Sequence, residues 1–222
     1  MKTNWQTLSV TDGTQMRAYV AEPAERSDRA VIVLQEAFGV NDYIRRIAER
    51  FAAAGYLAIT PELFHRTGEG FEGSYTDYAG VAPHMNALTV EGLTADMAAA
   101  HAWLATEGFS ATRIAAIGFC MGGRAAYLAN ATLPLGAAVS FYGGGIAESL
   151  LERTAGLGAP QLLCWGGSDA HILPAQTRAV SDALRAAHKP YVEAVFSEAG
   201  HGFACDARAS YHNESAHTAW AL

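Results

Sequence analysis

The 222-residue sequence is short of several things, and each shortage closes off a class of protein. Cysteine is scarce: three residues, Cys120, Cys164 and Cys205, odd in number and widely spaced. Such a set makes neither a disulfide framework nor a zinc site, and it fits a reducing, cytoplasmic setting. No apolar run reaches the roughly 20 residues of a membrane helix. The opening "MKTNWQTLSVTDGTQM" lacks the apolar stretch of a secretory signal. Positive charge is sparse and dispersed, 15 Lys and Arg against 22 Asp and Glu, for a net charge of −7. No basic stripe therefore offers itself to nucleic acid or to a membrane surface. Low-complexity tracts, internal repeats and composition breaks are missing too. With half the residues hydrophobic, the expectation is a single domain over residues 1–222.

The hydrophobic pattern alternates between two periods. Leu8 and Val10, then Met16, Ala18 and Val20, flank "TDG" and read as an antiparallel hairpin. "AVIVLQ" (30–35) is continuous enough for a buried parallel strand. Ile44, Ile47, Ala48, Phe51 and Ala54 follow at helical spacing, with Gly55 as a stop. "YLAIT" is a strand, residues 61 to about 83 a loop, and Leu93, Met97, Ala100 and Leu104 lie on one face of a long helix. "RIAAIGF", "LGAAVSFYG", "QLLCWGG" and "YVEAVF" are further strands; 121–130 and 174–187 are helices, and a last helix is expected from Asp206 through the terminal "HTAWAL". This alternation predicts an α/β architecture: a mostly parallel central sheet, helices on both faces and an N-terminal antiparallel hairpin. The carboxyl ends of successive strands then share one edge, where ligands bind.

The stretch Gly118-Phe119-Cys120-Met121-Gly122 is the G-x-S-x-G pattern with sulfur replacing the serine oxygen. In that pattern a strand ends, one residue turns sharply and a helix starts, lifting the central side chain clear of the sheet edge. Flanking glycines are needed because a Cβ there would meet backbone. A cysteine at a helix N-terminus also faces the positive end of the helix dipole.

A thiolate nucleophile needs a base, and the base an orienting carboxylate. "GGSDAH" places Asp169 just past one strand, and "EAGHGFA" places His201 just past the next. Both fall on the edge that carries Cys120, in the order nucleophile, acid, histidine. Glu36 closes the first buried strand at the same edge, where it either repels a thiolate or accepts the thiol proton. The amides of Ala37 and Met121 are the natural oxyanion donors. Phe38, Tyr142 and Phe203 lie at strand ends and are the candidate substrate-binding residues.

With these elements placed, the chain resembles the dienelactone hydrolase family of α/β-hydrolases. The resemblance rests on "LQEAFG" (34–39), "GFCMGG" (118–123), "GGSDAH" (166–171) and "GHGF" (200–203), and runs over essentially the whole chain. It implies a Cys120–His201–Asp169 triad, and a Glu36 that receives the thiol proton when substrate arrives. It further implies hydrolysis of lactones or activated esters through a thioester that water, activated by His201, cleaves. Family members acting on carboxylated dienelactone hold its carboxylate with two arginines, one in an H-x-F-A-R pattern. Here that position is Cys205, and "GEGFEGSYTDYAGVAPHMNA" contains no arginine for the other. Without the bidentate clamp, a neutral or differently charged substrate is expected.

Arg66, Arg124 and Arg208 read as surface or supporting residues, Cys205 as a small side chain near the last helix, and Cys164 as core. His212 and His217 are five apart, off the spacing that brings two ligands to one metal, so neither metal nor cofactor is expected. The partner is a small-molecule ester or lactone, and the chain a monomer or homodimer. Two other readings compete: a binding protein that keeps the fold without turnover, and a thiol redox protein using Cys120 with Cys205. The absence of C-x-x-C counts against the second.

Overall fold

The computed structural model describes residues 1–222. Its centre is one eight-stranded sheet: β1 (Lys2–Ser9), β2 (Gln15–Glu22), β3 (Ala30–Leu34), β4 (Leu57–Pro61), β5 (Ile114–Phe119), β6 (Ala137–Phe141), β7 (Gln161–Gly166) and β8 (Tyr191–Phe196). The spatial order is β1-β2-β4-β3-β5-β6-β7-β8. β1 and β2 form the expected hairpin, and β2 meets β4 antiparallel. From β4 onward every pairing is parallel, as β-branched apolar runs such as "AVIVL", buried at all five positions, require.

The helices are α1 (Asp42–Ala53), α2 (Tyr78–Asn86), α3 (Val90–Thr106), α4 (Met121–Thr132), α5 (Ile146–Ser149), α6 (Pro174–Ala186) and α7 (Asn213–Ala221). Strand alternation sends neighbouring residues to opposite faces. Phe119 and Phe141 stack on each other and meet Tyr43 of α1 and Trp220 of α7. On the other face, the Ser140 hydroxyl donates to the Gly123 carbonyl in α4. The sheet is thus covered on both sides. No helix is long and apolar enough to cross a membrane.

Two elements differ from expectation. α2 occupies part of the segment read as loop: Pro83 lies inside it, and only Val81 of the helix is buried, so neither propensity nor periodicity announces it. It forms because the Asp77 carboxylate caps the Gly80 amide. The last helix starts at Asn213 rather than Asp206. Residues before it are spent on successive turns, Cys205 N to Gly202 O, Arg208 N to Cys205 O and Tyr211 N to Arg208 O. Those turns carry Arg208 back over the sheet edge.

Candidate active site

Parallel pairing aligns the carboxyl ends of β3, β5, β6, β7 and β8, with Leu34 opposite Gly118, Phe119 opposite Phe141, Phe141 opposite Cys164 and Gly166 opposite Phe196. Glu36, Cys120, Tyr142, Asp169 and His201 each follow one of those ends. Cys120 sits between β5 and α4 at φ 55°, ψ −118°, a strained conformation for a residue with a Cβ. The turn closes only because its flanks are bare. A Cβ on Gly118 would lie 1.9 Å from the Gly122 carbonyl oxygen, and one on Gly122 2.3 Å from the Leu34 carbonyl oxygen.

The strain aims the sulfur. His201 Nε2 lies 3.1 Å from Cys120 Sγ, and His201 Nδ1 lies 2.8 Å from Asp169 Oδ2. The other Asp169 oxygen accepts the amides of His171 at 2.7 Å and Ile172 at 3.1 Å, which fixes the carboxylate. Burial opposes the charge on Asp169, but the His201 contact and these two amides hold its carboxyl below the usual range. Burial likewise opposes charge on His201. The hydrogen bonds and charges of Asp169 and Cys120 overcome it and push His201 up to about 10. The imidazole stands between an acid and a sulfur. The amides of Ala37 and Met121 donate no hydrogen bond within the protein and so are free to meet an oxyanion.

Glu36 is completely buried, and burial raises its pKa despite the Arg208 guanidinium 3.2 Å away. No hydrogen bond joins it to Cys120 in this conformer; its Oε1 accepts from Arg208. Arg208, read from sequence as a surface or supporting residue, is only 9% exposed in its side chain and also reaches the Tyr78 hydroxyl at 3.4 Å. A charged Glu36 required some cation, and that need was the one signal pointing to Arg208. Arg66, by contrast, is engaged with Asp12 and Asp96.

A cavity of about 410 Å³ opens beside His201, lined among others by Tyr75, Tyr78, Ser168, His171 and Arg208. Phe38, Tyr142 and Phe203 do not line it. They are buried to 1%, 0% and 0% because aromatic packing claims them: Phe38 meets Tyr75 and Tyr78, and Tyr142 meets Phe203. Their place is the layer beneath the lining. Cys205 is buried, with its thiol toward the Tyr75 hydroxyl at 3.5 Å, and burial pushes it up to about 12. All three cysteines are free. A larger cleft of about 530 Å³, near Trp103 and Phe109, contains none of these groups.

Residues 16–222 match the model of the dienelactone hydrolase family. A putative carboxymethylenebutenolidase of Yersinia pestis is 36% identical over 229 residues, covering 97% of this chain and 84% of that protein. The carboxymethylenebutenolidase of Pseudomonas sp. strain P51 is 28% identical over 222 residues, covering 99% and 92%. The crystal structure of a putative dienelactone hydrolase from Klebsiella pneumoniae superposes with a TM-score of 0.88 at 36% identity, covering 100% of this chain and 96% of that one. An eight-stranded sheet of α/β-hydrolase topology, with these relatives along its full length, leaves one assignment: the chain belongs to the dienelactone hydrolase family and is a carboxylic ester hydrolase.

Proposed function

We propose that the protein hydrolyses lactones or activated carboxylic esters through a thioester on Cys120. The observation that carries this reading is the aligned set Sγ–Nε2 at 3.1 Å and Nδ1–Oδ2 at 2.8 Å at the tip of a strained turn. Cys120 passes its proton to His201 Nε2 and attacks the carbonyl carbon, and the Ala37 and Met121 amides receive the developing oxyanion. The C–O bond breaks, and the His201 imidazolium gives its proton to the leaving oxygen. Neutral His201 then takes a proton from water, which attacks the thioester; the C–S bond breaks and the sulfur–imidazolium pair returns. Transfer of the thiol proton to Glu36 requires Cys120 to turn from His201. In the present conformer the nucleophile already faces its base.

The one guanidinium lining the cavity, Arg208, is engaged with Glu36 and Tyr78 and so is not free to clamp a substrate carboxylate. Neutral substrates are the better fit, and the carboxymethylenebutenolidase names of the relatives support lactones as a class. Three free cysteines suit a reducing, cytoplasmic compartment.

Hydrolysis of p-nitrophenyl acetate and a panel of lactones, dienelactone included, by the wild type and Cys120→Ala tests both halves. The expected result is turnover lost in the variant and faster on neutral substrates than on dienelactone. Dienelactone as the fastest substrate would overturn the substrate assignment. Turnover independent of Cys120, or none at all, would overturn the mechanism in favour of a binding protein.

A further inference from the structure

Four buried side-chain polar atoms have no hydrogen-bond partner, and two of them, Glu36 Oε2 and Tyr142 Oη, belong to this site. Both residues are 0% exposed. Tyr142 follows β6 directly and holds φ at 38°, one of only three residues other than glycine with positive φ. Its ring lies 5.2 Å from that of His201, centroid to centroid, and 5.3 Å from that of Phe203, so the ring cannot swing away to find a partner. Burial first, and then the charge of Glu36, keep the phenol protonated well past its ordinary range. Tyr142 Oη is thus a fixed donor without an acceptor, and Glu36 Oε2 accepts no hydrogen bond of ordinary geometry, the Cys205 thiol being the one other polar group that acts on it. Glu36 follows β3 and Tyr142 follows β6, the two strands on either side of β5, whose end carries Cys120.

Buried polar groups are seldom left unpaired without a task. The two needs are complementary: what satisfies both must accept from a phenol and donate to a carboxylate. Water does so, and so does a hydroxyl. Such a water keeps one hydrogen and one lone pair to spare. The base that faces Cys120 is His201, and the electrophile formed on Cys120 is the thioester.

We propose that Tyr142 and Glu36 seat the water that cleaves the thioester, an inference that rests on the cysteine mechanism above. Tyr142 Oη–H binds one lone pair of the water, and Glu36 Oε2 accepts one of its hydrogens. The other hydrogen passes to His201 Nε2 while the second lone pair forms the bond to the carbonyl carbon. Collapse breaks C–S, leaves the electron pair on Cys120 Sγ and releases the carboxylic acid. Arg208 holds Glu36 Oε1 and so fixes which oxygen faces the water. Tyr142 then serves deacylation and not acylation.

Tyr142→Phe separates the two steps, because it keeps the ring and removes only an oxygen that has no protein partner. Acylation is read as p-nitrophenol release with enzyme in excess over p-nitrophenyl acetate, and deacylation as steady-state turnover, with mass spectrometry following acetyl on Cys120. The variant is expected to acylate at the wild-type rate, to turn over slower by on the order of tenfold, and to accumulate the acetyl adduct. Hydroxylamine, which attacks a thioester without a general base, should restore its turnover. Its melting temperature should match or exceed that of the wild type. Both rates falling together without adduct, or neither rate changing, would overturn the seat and leave Tyr142 a packing residue. Absence of acetyl on Cys120 even in quenched wild type would instead overturn the thioester reading, and the seat with it.

Discussion

Removing Arg208 exposes how the buried carboxylate of Glu36 is tolerated. Glu36 has no exposed side-chain surface, and Arg208 is its only cationic partner within 4 Å, at 3.2 Å. Breaking a buried pair from one side costs about 3–5 kcal/mol, since the remaining charge is stranded in a poor solvent. Glu36 has an escape, which is to take up a proton, and that makes the cost depend on pH. Burial already raises its folded pKa, with the Arg208 charge opposing; in Arg208→Met the opposition is gone and the pKa rises further. The unfolded carboxyl titrates near about 4.3. Between that value and the folded pKa, the native state binds more protons than the unfolded one, so stability falls as pH rises. The variant widens this window upward. Its deficit relative to wild type should be small at pH 5 and grow by up to about 1.4 kcal/mol per pH unit inside the window. Above the variant's folded pKa it should approach the full ~3–5 kcal/mol, or a melting temperature lower by roughly 6–20 °C for a chain of this size. Denaturant melts from pH 5 to 8 under reducing conditions measure it, with Glu36→Gln/Arg208→Met as the companion that has no charge to strand. A deficit equal at pH 5 and pH 8, or a double variant as unstable as the single one at pH 8, would refute the reasoning.

Gly118→Ala should be among the most damaging single-methyl additions in the chain, because its Cβ meets the Gly122 carbonyl oxygen at 1.9 Å and neither backbone can yield. A loss of about 4 kcal/mol or more is expected in a urea melt, against near-neutrality for Gly158→Ala, whose Cβ meets nothing within 4 Å. Asp169→Asn removes the charge that helps hold His201 at about 10, so the imidazole should titrate closer to its ordinary 6.5 by NMR. The kcat/KM should fall on the order of 10⁴-fold, as when the same exchange is made in a serine triad. The stability that wild-type His201 contributes is whole below pH 6.5 and lost as pH rises to about 10, and the variant should lose less over that interval.

The triad was legible because topology does most of the positioning. Once strands alternate with helices and cross over with one hand, the residue just past each parallel strand must stand on one edge. Cys120, Asp169 and His201 sit one to five residues past β5, β7 and β8, close enough that no loop has room to carry them elsewhere. The glycines around Cys120 were equally readable, since bare Cα positions on both sides of a nucleophile have a steric reason and few others. α2 and the start of α7 were not readable. The first carries a proline and almost no buried face, and the second begins only after a chain of turns whose partners lie elsewhere in the sequence.

What surrounds the triad follows another logic. Phe38, Tyr142 and Phe203 stand at strand ends just as the triad does, and the same argument made them candidates for contact with substrate. Aromatic side chains answer to packing first, however, and each found rings to pack on, so they lie in the layer beneath the residues that line the cavity. The wall comes instead from loops that return from a distance: Tyr75 and Tyr78 from before and within α2, His171 from beyond Asp169, Arg208 from the turns ahead of α7. No period in the sequence links these positions. The link is electrostatic. A fully buried acid at the end of β3 demands a cation, and Arg208, brought in by the tight turns ahead of α7, takes up the charge. The proposed reaction is therefore written in strand ends, where spacing is rigid, and the wall of the cavity in returning loops, where only the pairing of charges gives the arrangement away.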